Sequence, residues 1–155
     1  MSAVIRPAED RFAPMRVDDL DEIMPIEADL YPFPWTRGNF RDSLSAGYSA
    51  WTLRTASGAL IGYSVVLIAL DEAHLLNLSV VRSYQRRGHG WRMLDSMASI
   101  ARDHGARSML LEVRPSNLTG QRLYAAYGFD RIGCRRDYYP ATGGREDAIV
   151  MRIAL

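Results

Sequence analysis

Gln85-Arg86-Arg87-Gly88-His89-Gly90 lies between an apolar run that ends at Val81 and a segment with helical spacing that opens at Trp91. A strand, a glycine-bearing turn and a helix in succession can form an anion site. The first N–H groups of a helix have no internal partner, and the helix dipole adds partial positive charge there. Gly88 and Gly90 carry no Cβ, so a diphosphate can approach the backbone, while Arg86 and Arg87 add charge at the rim. On spacing alone the turn is equally a flexible joint between strand and helix. It is not a Walker loop, because no Lys-Ser or Lys-Thr pair follows, and only one Gly-x-Gly pair of the dinucleotide pattern is present. The pattern points to phosphate without naming the ligand.

Upstream, Ser49 to Thr55, Ala59 to Leu70 and His74 to Val81 read as strands broken at Ser57-Gly58 and Asp71-Glu72, an antiparallel meander. Before them, Asp18 caps a predicted helix with Leu20, Ile23, Met24 and Ile26 on one face, which Pro25 should kink or shorten. Thr36 caps a second, with Phe40 and Leu44 inward and Gly47 as its stop. Tyr31-Pro32-Phe33-Pro34-Trp35 between them is not helical throughout. Downstream, Trp91 to Ala101 is an amphipathic helix and Ser108 to Val113 a buried strand. Leu118 to Tyr127 is a short helix closed by Gly128, and Phe129 to Tyr138 and Ala148 to Ile153 are strands around a loop with Gly143-Gly144. The order predicts an α/β (α+β) domain, a mixed sheet with helices on both faces.

The 155 residues suit one domain, and 48% hydrophobic with 24% charged residues is an ordinary soluble balance. Met1 to Pro14, with two prolines and mixed charges, reads as a flexible arm (1–14) ahead of a single domain (15–155). It lacks the apolar run of a signal peptide, and Tyr63 to Leu70 is far short of a membrane span. All 19 basic residues are arginines, yet the net charge is +1, and the pairs Arg86-Arg87 and Arg135-Arg136 form no basic stripe. The expectation is a cytoplasmic protein with no membrane association and no direct nucleic-acid binding. Its oligomeric state is left open, with a monomer favoured. His74, His89 and His104 lack metal-ligand spacing, and the lone Cys134 reads as strand packing rather than a nucleophile.

The hexapeptide resembles the Q/R-x-x-G-x-G/A signature of the GNAT superfamily of N-acetyltransferases. Leu76 to Val80 stands where these enzymes place the strand that pairs with the pantetheine arm, and Asn117, Leu123-Tyr124 and Gly128-Phe129 are similar to a second block of the fold. The resemblance covers roughly Arg16 to Ile153. It implies a mixed, mostly antiparallel central sheet of about seven strands flanked by about four helices, acetyl-CoA as cosubstrate, and no metal. Phe33-Pro34-Trp35, Leu111-Glu112-Val113-Arg114 with Ser116-Asn117, Arg136-Asp137-Tyr138-Tyr139-Pro140 and Gly144-Arg145-Glu146-Asp147-Ala148 narrow it. They are similar to the RimI group, the bacterial ribosomal-protein-alanine N-acetyltransferases. That implies a protein N-terminus as acceptor, on a ribosomal protein that starts with Ala. Trp91 departs from the pattern at the phosphate loop. Gly120 departs from it in a helix, at about 1 kcal/mol in propensity.

The resemblance also distributes roles. Leu78, Ser79 and Val80 would offer backbone bonds to pantetheine, an edge-strand use of the sheet. Arg86, Arg87, Gly88, His89, Gly90 and Trp91 would surround the diphosphate. Asn117 would bond the pantetheine or diphosphate region, or else simply cap a helix. An α-ammonium titrates near 7.7–8.0, so acetyl transfer at neutral pH gains from a base. The RimI likeness makes Glu112 that base, with desolvation expected to raise its pKa, and Tyr124 the acid that serves the departing thiolate. Trp35, Tyr138 and Tyr139 would line the acceptor groove. Two other functions stay open: a GNAT enzyme acting on a small amine, and a non-catalytic acyl-CoA-binding module.

Overall fold

The computed structural model describes residues 9–155. Along them run β1 (Arg11–Pro14), α1 (Leu20–Leu30), α2 (Arg37–Ser45), β2 (Ser49–Arg54), β3 (Leu60–Ala69), β4 (Glu72–Val80), α3 (His89–Asp103), β5 (Ser108–Val113), α4 (Leu118–Tyr127), β6 (Asp130–Ala141) and β7 (Gly144–Ala154), with short 3-10 turns at Val17–Asp19 and Arg82–Tyr84. The strands make one sheet in the order β1-β2-β3-β4-β5-β7-β6. Only β4 and β5 are parallel, because the α3 crossover returns the chain to the same end of the sheet. The mixed, mostly antiparallel sheet expected from the sequence is therefore present.

Two local expectations are corrected. Arg11–Pro14, assigned to the flexible arm, is an edge strand, with Phe12 opposite Leu53 and its ring stacked on Trp51 at 5.0 Å. Its partners lie far along the chain, so nothing local announces it; residues 1–8 of the arm lie outside the described residues. Pro25 does not shorten α1. It forgoes only the bond to the Asp21 carbonyl in the first turn, and the fully buried Leu20 and Ile23 hold the helix against the sheet.

The sheet is packed on both faces. Leu94, Met97 and Ala101 of α3 bury against Val66, Ala73, Leu75, Met109, Leu111 and Met151, and Met93 packs with Leu53 and Ile61. Each such Leu or Met contributes about 1.5–3 kcal/mol of burial. On the opposite face Leu20, Ile23 and Phe40 of α1 and α2 meet Ala50, Tyr63 and Val65.

The feature that makes a site is an opening. β4 and β5 pair only from Glu72 with Ser108 to Leu75 with Leu111. Past that point β4 stays bonded to β3 as far as Val80 opposite Gly62, and β5 to β7 as far as Val113 opposite Ile149. The sheet is thus split between them. Leu76 is an extra residue, between Leu75 opposite Val66 and Asn77 opposite Val65, and this bulge redirects β4 where pairing ends.

Candidate active site

One wall of the split is the free edge of β4. Val81 N–H bonds Ile61 O, so Ser79 and Val81 direct their backbone groups to β3, and Leu78 and Val80 direct theirs into the opening. Both of those carbonyls already have partners. The Tyr31 hydroxyl donates to Leu78 O at 3.4 Å, and the Gln85 side chain donates to Val80 O at 3.0 Å. The N–H groups of Leu78 and Val80 remain, spaced for an extended ligand with carbonyl acceptors.

The other wall carries Glu112 of β5. Its side chain is 6% exposed, with Oε2 held by His74 Nε2 of β4 and Oε1 at 3.5 Å from an Arg135 guanidinium nitrogen of β6. Oε1 has no hydrogen-bond partner among the described residues. Burial pushes the carboxyl up, but the hydrogen bond and charge of His74 and the charge of Arg135 outweigh it, so Glu112 titrates below an ordinary carboxylate. The expected rise is thus reversed. The partners that reverse it come from other strands, and His74, read in sequence only as lacking metal-ligand spacing, is one of them.

Tyr124 of α4 is partly buried, with its ring edge-on to Phe129 at 5.8 Å. Burial, then the proximity of Tyr31 and Tyr139, raises its pKa and keeps the phenol protonated. Tyr139 is raised too, by burial and then by Glu112. Tyr31, Tyr124, Tyr139 and Glu112 therefore converge on the split from four different elements or loops.

Around it, two polar frameworks fix the loops. Arg114 stacks on Phe33 at 5.2 Å and on Tyr139 at 4.4 Å, and donates to Pro140 O and Glu146. Glu146 also accepts from the Ser116 N–H and hydroxyl. Arg114 thereby ties the loop after α1 to the β6–β7 hairpin. Tyr138, 41% exposed, lies edge-on to Tyr139 at 4.8 Å. Trp35 is not with them; its ring packs on Phe40 at 5.0 Å, and Phe33 is the loop aromatic that reaches Arg114. The second framework centres on Glu27, 1% exposed, which accepts from Trp35 N–H at 3.1 Å, Tyr63 hydroxyl at 2.5 Å and Asn77 amide at 3.4 Å. Asn77 accepts from Ser79, whose hydroxyl meets Tyr31 at 2.6 Å. Burial pushes Tyr31 up to about 12. Arg114 and Glu146 stand inside motif strings legible in the sequence; no sequence signal singled out Glu27 or Tyr31.

The glycine turn sits beyond the end of β4. Arg86 (φ 63°) and Gly88 (φ 82°) are both left-handed, a conformation in which successive N–H groups converge on an anion. The first bond of α3 runs from Arg92 N–H to Gly88 O, leaving the N–H groups of His89, Gly90 and Trp91 ahead of it. The two glycines serve different ends. A Cβ at Gly88 would touch nothing, so its requirement is conformational. A Cβ at Gly90 would lie 3.1 Å from Leu123, so its absence serves helix packing rather than access to the backbone. His89 packs edge-on to Tyr84, and burial with nearby Arg92 lowers its pKa. Trp91 packs on Tyr127 at 5.0 Å. Asn117 caps α4 by accepting from Gly120 N–H at 2.9 Å, and a Cβ at Gly120 would crowd that cap at 2.7 Å, which accounts for the glycine. Cys134, expected to pack, is exposed on β6. No helix among the described residues is long and apolar enough to cross a membrane.

The sequence pattern of the Acetyltransferase (GNAT) family matches residues 20–129. The chain is 35% identical over 141 residues to the ribosomal protein bS18-alanine N-acetyltransferase of Escherichia coli K12, covering 91% of this chain and 95% of that one. The crystal structure of the Escherichia coli ribosomal-protein-S18-alanine N-acetyltransferase superposes with a TM-score of 0.85 at 34% identity over 94% of each chain. Arabidopsis thaliana NAA60 in complex with acetyl-CoA shares the fold, with a TM-score of 0.84 at 19% identity over 95% of this chain and 99% of that one.

Proposed function

The chain belongs to the acetyltransferase (GNAT) family, and on that premise we propose that it transfers the acetyl group of acetyl-CoA to the N-terminal α-amino group of a protein, a ribosomal protein starting with Ala. The observation that carries this reading is the split between β4 and β5. It brings together two N–H groups, on Leu78 and Val80, and a buried carboxylate oxygen that lack hydrogen-bond partners among the described residues.

Acetyl-CoA supplies an acetyl group activated as a thioester. The N–H groups of Leu78 and Val80 would hold its extended pantetheine arm along the β4 edge. The turn from Arg86 to Trp91 would hold the diphosphate on its convergent N–H groups. Asn117 would lie near the arm through the amide left over from capping. Glu112 Oε1 accepts the proton that the acceptor amine loses as it attacks, and Tyr124 gives its phenol proton to the sulfur as the C–S bond breaks. The low pKa of Glu112 keeps it ionised at neutral pH and ready to accept. Raised phenols keep Tyr124 and Tyr139 able to donate. Phe33, Tyr138 and Tyr139, joined by Arg114, would flank the peptide entering from the side open to solvent, with Trp35 supporting its loop.

The test is an acetylation assay on peptides that vary in their first residues, with Glu112→Gln and Tyr124→Phe as controls. Preference for Ala-starting peptides is expected, and both variants should lose about 10²-fold or more in kcat with little change in acetyl-CoA binding. Turnover of Lys side chains or small amines alone would overturn the acceptor, and near-normal kcat in both variants would overturn the roles.

A further inference from the structure

Among the described residues Glu112 accepts a side-chain hydrogen bond on one oxygen only, with Arg135 3.5 Å from the other. His74 Nε2 engages Oε2, and the opposite oxygen, Oε1, is buried without a hydrogen bond. A carboxylate on a flexible side chain has two equivalent oxygens, and a ring nitrogen anchored on a neighbouring strand removes that equivalence. The anchor is rigid for a reason visible in the register. His74 lies opposite Leu110 within the last bonded stretch of the β4–β5 pair, and Glu112 is two residues further along β5, on the same face and just past the split. The imidazole therefore reaches from the paired part of the sheet to the carboxylate at the mouth of the opening. It is 25% exposed, so its far nitrogen reaches solvent.

We propose that His74 is a positioning residue for acetyl transfer, fixing the Glu112 carboxylate through Oε2 so that Oε1 faces the acceptor amine. This rests on Glu112 being the base. In the transfer the amine nitrogen bonds the acetyl carbon, the carbon–sulfur bond breaks, the amine proton passes to Oε1, and the sulfur takes the Tyr124 proton. His74 keeps its hydrogen bond to Oε2 throughout and exchanges no proton with the substrate.

The groups that bear on this pair come from every neighbouring strand. Arg135 of β6 stands 3.5 Å from Oε1, and Tyr139 of β6 is near enough to feel the Glu112 charge. Arg152 of β7 shares the row of Leu110 and His74 but is tied to Ser108, and Glu72 lies two residues up β4. Leu67 of β3, opposite His74, brings no charge. His74 is the leading influence that lowers Glu112 against its burial. Its removal should let Glu112 titrate higher.

The experiment compares wild type, His74→Ala, His74→Gln and Glu112→Gln in kcat–pH profiles at saturating acetyl-CoA and one saturating Ala-starting peptide. The amine of the peptide titrates identically in every case, so differences belong to the enzyme. The Gln amide nitrogen is as many bonds from Cβ as Nε2 and can donate to Oε2 without titrating. His74→Ala should lose about ten-fold in kcat, part of what a positioned base supplies. Its acidic limb should move up in pH, with the KM for acetyl-CoA unchanged. His74→Gln should recover most of that kcat, with an acidic limb between the other two. Wild-type kcat and an unmoved limb in His74→Ala, beside an inactive Glu112→Gln, would overturn the role of His74 and leave the base intact. A His74→Gln enzyme as slow as His74→Ala would also overturn it. Wild-type kcat in Glu112→Gln would instead remove the base, and the proposal with it.

Discussion

Glu27 offers the sharpest separation between a side chain's charge and its hydrogen-bond geometry. Three donors converge on it in a site that is 1% exposed: Trp35 N–H and the Asn77 amide on Oε1, and the Tyr63 hydroxyl on Oε2. Glu27→Ala leaves Trp35 N–H and the Tyr63 hydroxyl, the two short bonds, without acceptors. At about 1–3 kcal/mol for each buried donor left unmade, the loss is about 2–6 kcal/mol. Glu27→Gln behaves differently. Its carbonyl can take the two donors on the Oε1 side, and its amide can donate to the Tyr63 hydroxyl, which rotates to accept. The cost should be about 1 kcal/mol, the difference between a charged and a neutral acceptor. Urea unfolding of the three proteins at one pH measures both. The peptide KM provides a second readout, since only Glu27→Ala frees the Trp35 backbone and should raise it. The pH dependence has a definite sign. Burial raises the folded pKa of Glu27 above its unfolded value near about 4.3. The folded state therefore takes up this proton first on acidification. Its contribution to stability is full below the unfolded pKa and is lost as pH rises through the folded one. The stability of wild type relative to Glu27→Gln should grow as pH falls across that window. Equal losses in the Ala and Gln variants, or an Ala variant within about 0.5 kcal/mol of wild type, would refute the convergent-donor account.

Other outcomes follow from single contacts. Gly88→Ala places a Cβ at φ 82° in open space, so it should cost about 1–2 kcal/mol of stability and weaken acetyl-CoA in a binding titration. Gly62→Ala brings a Cβ to 2.5 Å from Ser79 O and 2.8 Å from Met93 Sδ. Thermal or urea unfolding should show a loss of about 1–3 kcal/mol from overpacking against β4. Arg114→Met keeps a long stem between Phe33 and Tyr139 but removes the bonds to Pro140 O and Glu146. Steady-state kinetics should show peptide KM rising about ten-fold, the loss of roughly 1.4 kcal/mol, while acetyl-CoA KM stays unchanged.

Much of this protein was open to reading because its signals are local. The turn at Gln85 to Gly90, the α3 periodicity and the meander around Ser57-Gly58 each depend on neighbours within a few residues. The strings around Glu112, Tyr124 and Tyr138-Tyr139 carried a family likeness, and those side chains converge on one opening. Trp35 read the same way but packs on Phe40, because alternate aromatics of a Pro-rich loop point to opposite sides and spacing does not tell which is inward. Gly88 and Gly90 look alike in sequence and answer to different constraints, one to its own backbone and the other to Leu123 of another helix.

The amino-acid sequence by itself determined the elements from α1 onward, their order and the glycine turn before α3, since hydrogen bonding within a turn and periodicity along a strand are short-range. Tertiary structure alone decided where β4 and β5 part, that Leu78 and Val80 face the gap, and that Arg11–Pro14 closes the sheet edge. It also decided the state of Glu112. Sequence placed Glu112 at the end of an apolar strand, where burial alone would raise its pKa. His74 and Arg135, delivered by β4 and β6, reverse that sign, because charges a few ångströms away outweigh desolvation.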